Sequence, residues 1–300
     1  MSAVFSPAAF SQNLRRMRYG WPADQPLLVV EGVTDRRALT PVLVPGVKVI
    51  PSNGKEHLKH AYQELVTSGV TGIYYIMDCD NGDADEFMGL EDLAVTQHRD
   101  IEADLLFSLN AFERVADEFL SEFHPDRRSL HNVADRVLEV AAANACTLGR
   151  LKDAAREAGL VLKVRDARTG RKRALRPADI ASAIPFSDVE DQDAVAREMA
   201  VVLAWGEEEV QDLLSRAEHL DVCEHGSPMC YGCAVRAVCN GHDVVQALAL
   251  AISAQTNLDV TSEELERALR IGMDRSAVEE WHVGARARRW ESTSGMRLLR

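Results

Sequence analysis

The stretch YYIMDCDNGDADEF, Tyr74 to Phe87, begins as an apolar strand and turns acidic at once: Asp78, Asp80, Asp83, Asp85 and Glu86 fall within nine residues. Like charges repel, so this crowding at a strand end means that water or a cation takes up the charge. Residues two apart at a strand end point the same way, which lets Asp78 and Asp80 offer oxygens to one ion. Mg2+ suits that arrangement, because it uses one or two carboxylates and keeps several waters for a phosphate substrate. Asp83, Asp85 and Glu86, beyond the Asn81-Gly82 turn, read as solvated acids. A second acid, Glu31, ends the apolar run LLVV. Ligands of an open parallel sheet sit outside the carboxyl ends of its strands, so acids on two such ends point to one cation centre. Asp35 lies one helical turn beyond Glu31. Asp100 and Glu102 open a later helix that can return to the same edge.

A second group lies in CEHGSPMCYGCAVRAVCNGH. Cys223, Cys230, Cys233 and Cys239 fall within 17 residues, with His225 and His242 beside them. Four thiolates this close read as a metal site rather than a disulfide framework. Structural Zn2+ is the expected occupant, with His225 as a substitute ligand. The run C-x2-C-x5-C also resembles that of iron–sulfur nucleases, which leaves a 4Fe–4S cluster open. Cys79 and Cys146 read as ordinary packed cysteines. His242 and Asp243 open a helix. His242 either packs there or stands, like Asp100, behind the carboxylates that hold the ion.

The net charge of -13 argues against nonspecific coating of nucleic acid. Against that background, Lys163, Arg165, Arg168, Arg171, Lys172, Arg173 and Arg176 crowd into 14 residues. They are either a solvated loop or a phosphate-tracking ribbon, with Arg171, Lys172 and Arg173 its core. Arg286, Arg288, Arg289, Arg297 and Arg300 add a basic tail. Lys55, after Gly54, is a candidate for a single phosphate contact.

The elements that must position these groups follow from hydrophobic periodicity. Residues 1–19 predict an N-terminal helix. PLLVVEG, VKVIPSNGK and GIYYIMD predict strands, and TDRRALTPVL and EHLKHAYQELVTSG predict helices between them. Strand and helix alternate, so residues 20–125 predict an α/β domain with a parallel sheet flanked by helices. LAVTQHRDIEADLLFSLNAFERVADEFL predicts a short strand or turn running into a long helix. Residues 126–300 predict a mainly helical region with a basic hairpin at 160–177 and the cysteine module at 223–242. A hydrophobic content of 46% supports a real core. No apolar run approaches the roughly 18 residues that span a bilayer, and the first residues do not resemble a signal peptide. A cytoplasmic protein with no membrane association is expected.

VVEGVTD followed by YIMDCD resembles the TOPRIM domain of topoisomerases, primases and OLD-family nucleases. The chain is most similar to a TOPRIM-like family that includes AriB, the toxin subunit of the PARIS phage-defence system. The residues that carry the resemblance are Glu31-Gly32 with Asp35, Gly54-Lys55, Asp78-Cys79-Asp80, His98-Arg99-Asp100-Ile101-Glu102 and Gly241-His242-Asp243. It spans residues 27–106 and a patch near 240. Arg99 separates His98 from Asp100, and Asn53 stands where a second glycine is usual; neither departure removes a carboxylate. The resemblance implies a metal-dependent nuclease cleaving RNA, tRNA among them, or DNA. Asp78 and Asp80 would hold Mg2+ or Mn2+. Glu31 would act as acid–base group or shared ligand, and Asp35 with Glu102 would hold a second ion. Water would be the nucleophile. An anti-phage effector regulated by a partner ATPase is implied too, and this chain has no Walker A motif of its own. A homo-oligomer is a further expectation. The alternative is a non-enzymatic metal- or nucleotide-binding adaptor of a defence complex. Convergence of Glu31, Asp78 and Asp80 separates the two readings.

Overall fold

The computed structural model describes residues 6–79, 85–87, 89–123, 127–165, 171–181, 192–203, 205–218, 240–256, 258–273 and 275–300. The chain divides into two compact units, one of Met1–Ala111 with Leu269–Arg300 and the other of Phe112–Ala268. The sequence places the boundary near residue 126 and keeps 126–300 together. The structure instead returns the last thirty-odd residues to the first unit.

In the first unit, β1 (Leu27–Val30), β2 (Lys48–Pro51), β3 (Ile73–Met77) and β4 (Leu93–Val95) form a four-stranded sheet of order β2-β1-β3-β4. Every pairing is parallel: Val29 lies opposite Ile50 and Tyr75, and Met77 opposite Val95. Glu31, Asp78 and Thr96 therefore leave the sheet along one edge. The runs LLVV and IYYIM are buried throughout, as expected of central parallel strands. Leu27, Val29, Tyr75, Met77, Leu93 and Val95 line one face and pack on Phe10, Leu14, Leu58, Ala61, Tyr62 and Leu65. The helices supplying those partners are α1 (Pro7–Tyr19) and α3 (Lys55–Thr67). Arg18 pins α1 down by donating to the carbonyls of Thr71, Pro22, Gln25 and Ala23 at 2.9–3.1 Å.

Two short helices, α2 (Val33–Leu39) and α4 (Ile101–Phe107), follow β1 and β4. The long helix expected after β4 is in fact two. The N–H groups of Ser108 and Leu109 both donate to Asp104 O, at 3.0 and 2.9 Å, and Asn110 turns left-handed at φ 48°. After that turn α5 (Ala111–Leu120) begins.

The second unit holds α6 (Arg127–Glu157), the hairpin of β5 (Lys163–Arg165) and β6 (Lys172–Ala174), and α7 (Pro177–Ala181). It continues with α8 (Gln192–Leu203), α9 (Glu207–Glu218), α10 (Gly241–Thr256) and most of α11 (Ser262–Ile271). The antiparallel hairpin sets Val164 opposite Arg173. Val164 joins Leu148, Leu151, Leu175, Met199, Val210 and Leu213 in the core. Cys146 is buried in α6.

The return to the first unit is made by α12 (Arg275–Glu280) and α13 (His282–Ser294). Gly284 makes their corner possible, because a Cβ there would lie 1.7 Å from Val278 O. Trp290 of α13 packs on Tyr74, ring centroids 5.2 Å apart, on the sheet face opposite α1 and α3. Arg286 donates to the carbonyls of Leu90 and Leu93 and so covers the outer edge of β4. The tail then pairs with the segment before β2: Val44 N–H donates to Leu298 O at 3.0 Å and Arg300 N–H to Val42 O at 2.9 Å. Glu291 accepts the N–H groups of Leu298 and Leu299 and an Arg288 N–H at 2.6–2.8 Å. Arg286, Arg288 and Arg300, grouped by the sequence with a polyanion-binding tail, thus serve the protein's own carbonyls and carboxylates. Among the described residues no helix is long and apolar enough to cross a membrane.

Candidate metal centre

Side chains continue the sheet where its backbone ladder stops. The Asp78 N–H donates to Glu31 Oε1 at 3.0 Å, and the Cys79 N–H donates to Thr96 Oγ1 at 2.8 Å. Thr96 in turn donates to His98 O at 2.6 Å. The first two amides beyond β3 are thereby tied to the ends of β1 and β4. Cys79 packs toward the α1–α3 face, as an ordinary packed cysteine would. Strand alternation sends Asp78 to the other side.

Asp35 and Asp100 are held by local geometry. Asp35 Oδ2 accepts the Gly32 N–H at 2.7 Å and Oδ1 accepts the Thr34 hydroxyl at 3.2 Å, which caps α2 and leaves Asp35 only 4% exposed. Asp100 caps α4 by accepting the Ala103 N–H at 2.8 Å. Asp100 and Glu102 are both buried. On the β2 side, Asn53 at φ 62° and Gly54 at φ 124° make the turn that starts α3. The Gly54 N–H donates to Glu31 O at 3.1 Å. Lys55, half-buried, therefore opens α3 directly after a residue bonded to the Glu31 backbone.

Burial, first, pushes the Asp78 carboxyl well above the ordinary aspartate range, and the charges of Asp35, Glu31, Asp100 and Glu102 push it further. Each of those influences opposes ionisation. The donors are all oxygen, the set a hard divalent cation takes. Among the described residues no three acid, histidine or cysteine side chains stand close enough to enclose an ion by themselves. Asp80 and Asp83 lie outside the described residues. Glu86 is exposed, 3.9 Å from Lys59, as expected of a solvated acid.

Asp104 is the residue that spacing did not single out. It is completely buried, and its oxygens accept from Gln97 N at 3.1 Å, His98 N at 2.7 Å, His98 Nδ1 at 2.8 Å and Trp281 Nε1 at 2.7 Å. One signal was present: Asp104 follows Ile101 by three positions and so shares its inward face, where an acid needs a reason.

Elsewhere the expectations meet different partners. Cys223, Cys230, Cys233, Cys239 and His225 lie outside the described residues. His242 pairs through Nδ1 with Glu266 at 2.9 Å, and Asp243 with Lys152 at 2.6 Å. Both pairs lie within the second unit. Arg173 grips Asp179 with two bonds of 2.6 Å, which makes it an anchor between β6 and α7 rather than an open phosphate contact. Arg171 and Lys172 remain exposed. No protein-family model matches this chain, and no curated protein matches it.

Proposed function

We propose that the chain is a divalent-metal-dependent nuclease of the TOPRIM type, hydrolysing phosphodiester bonds of RNA or DNA. The observation that carries this reading is the Asp78 carboxyl, raised by burial and by four neighbouring acids beside adjacent parallel strand ends. A cation there would relieve each of those penalties. Asp78, Glu31 and Asp80 would hold it, and Asp35 with Glu102 would serve a second ion. Bound Mg2+ or Mn2+ would stabilise charge on the phosphate and activate water as the nucleophile. Glu31 fixes the Asp78 backbone through Oε1 and is the acid–base candidate. Asp100 acts from behind, by fixing the start of α4. Exposed Arg171 and Lys172, with Lys55 near the strand ends, are the phosphate-contact candidates. The cysteine module is proposed, on its spacing, to hold structural zinc, with a 4Fe–4S cluster as the alternative. An anti-phage role, a partner ATPase, a homo-oligomeric state and a cytoplasmic location rest on the resemblance and on the sequence.

The test is incubation of the purified chain with tRNA, plasmid and single-stranded DNA, with Mg2+, with Mn2+ and with EDTA. Metal-dependent cleavage by the wild type, lost in Asp78→Asn and Glu31→Gln, is expected. The engagement of Arg173, Arg286, Arg288 and Arg300 within the protein favours the adaptor reading, because it shrinks the surface open to a polyanion. Saturable Mn2+ binding without cleavage of any of the three substrates would establish the adaptor in place of the nuclease.

A further inference from the structure

The Trp281–Asp104 bond joins two parts of the first unit that are far apart in sequence. Asp104 is fully buried, and three of its four donors lie in the turn between β4 and α4: Gln97 N–H, His98 N–H and His98 Nδ1. The short Nδ1 contact puts a proton on that nitrogen and fixes the ring. The turn is also held from the β3 side, through Thr96, which accepts from Cys79 and donates to His98 O. Two residues further on it delivers Asp100 and then Glu102, both of which act on Asp78. The fourth donor comes from the returning C-terminal segment. Trp281, 3% exposed at the start of α13, places Nε1 2.7 Å from Asp104 Oδ2. An N–H bond to a buried carboxylate is stronger than a neutral one, and its loss leaves an oxygen short of a donor.

Resting on the metal-centre reading, we infer that Asp104 is a positioning residue for that centre, and that docking of Trp281 sets how tightly the centre holds a divalent cation. Asp104 touches no ion. It acts by fixing the turn from which two of the five acids start.

The same segment carries its own control. Trp290 Nε1 donates to Asp92 Oδ1, also at 2.7 Å, but Asp92 precedes β4 whereas the turn follows it. Replacing either indole by phenyl deletes one bond of the same kind and keeps most of the packing. The experiment is Mn2+ titration calorimetry on the full chain, with a thermal melt of each variant. Trp281→Phe is expected to raise the Mn2+ dissociation constant roughly tenfold, the loss typical when a group supporting metal ligands is removed. Trp290→Phe is expected to lower the melting temperature while leaving the dissociation constant within about twofold, as for a distant independent site. Equal effects of the two variants on Mn2+ affinity, or none from Trp281→Phe, would overturn the inference.

Linkage supplies a second measurement that needs no substitution to fold. If Trp281 docking acts on the ion, the ion acts equally on Trp281. Mg2+ titration of the wild type should shift the indole N–H resonance of Trp281 and leave that of Trp290 in place. An unmoved Trp281 signal at saturation overturns the coupling alone. Absence of any saturable Mn2+ binding that Asp78→Asn abolishes removes the centre itself, and the coupling with it.

Discussion

Burial pushes the carboxyls of both Asp78 and Asp179 upward, yet they finish on opposite sides of the ordinary aspartate value. At Asp179 the two bonds from Arg173, the Arg176 N–H and the charges of both arginines outweigh burial and carry the carboxyl below it. At Asp78 four more acids add to burial and carry it far above. Glu291, bonded by Arg288 and two tail amides, follows Asp179. An acid with a structural job is supplied with donors by the chain that folds around it. Asp78 instead has four further acids acting on its carboxyl, although Glu31, Asp35 and Asp100 each accept a backbone N–H of their own. Strongly perturbed acids cluster at functional sites.

The comparison breaks most visibly in activity. Asp78→Asn should reduce Mg2+-dependent cleavage by several orders of magnitude, because a bound ion supplies several kcal/mol of transition-state stabilisation. The same substitution should raise the melting temperature in EDTA. Arg173→Ala, at the satisfied acid, should leave cleavage measurable. Cleavage at wild-type rates by Asp78→Asn would end the assignment of this carboxylate.

The pH dependence comes next, and its sign follows from the raised carboxyl. Between the ordinary value of 3.8 and its raised folded value, the folded chain binds a proton to Asp78 more readily than the unfolded chain does. Stability contributed by Asp78 therefore falls as pH rises through that window and is regained as pH falls back through it. Melts in EDTA across that range should show the decline in the wild type and a flatter profile in Asp78→Asn. Asp179 has the opposite sign: its contribution is present above the unfolded value and lost as pH falls through the depressed one. Identical profiles for wild type and Asp78→Asn would detach the slope from this residue.

Smaller effects sharpen the contrast. Arg173→Ala should cost about 1–2 kcal/mol in denaturant unfolding, a figure held down by the partial exposure of the pair. Lys172→Ala should leave stability nearly unchanged and reduce the salt dependence of nucleic-acid binding by about one phosphate contact. The reverse assignment of these two effects would make Arg173 the contact and Lys172 the anchor. Smallest of all, replacing Asp83, Asp85 and Glu86 together by Asn, Asn and Gln should leave activity within about threefold, since exposed charges interact weakly. A loss approaching that of Asp78→Asn would erase the division of this stretch into working and solvated acids.

What could be read in advance was whatever a short window contains. LLVV and IYYIM announce buried strands by composition, and Glu31 and Asp78 announce themselves by following those strands directly. The hairpin is legible from its flanking runs. The division of 101–120 was missed because an apolar period continues across Asn110, whose left-handed turn leaves no mark on that period. The bond from Arg173 to Asp179 was not legible, because seven cations within 14 residues conceal which of them has a partner and Asp179 offers no spacing signal from beyond β6. Trp281 and Asp104 stand 177 positions apart, a separation at which no local periodicity connects two residues. The sequence thus displays the acids of the candidate site but not the bonds that fix the turn before α4.

The return of residues 269–300 has a consequence for how the chain is made. Arg300 bonds to Leu43 across 257 positions, and Trp290 to Asp92 across 198. A ribosome emits the four strands early and the segment that covers Tyr74, Leu93 and Asp104 last. At roughly 5–20 residues per second, the first unit waits on the order of ten seconds or more for its final helix. Meanwhile the inserted unit, whose segments are contiguous, has all of its own residues and can fold first. Asp104 therefore acquires its indole donor only after synthesis has passed Trp281. A ribosome stalled anywhere in the inserted unit would display a sheet whose Tyr74 still lacks Trp290, a substrate for chaperones and proteases.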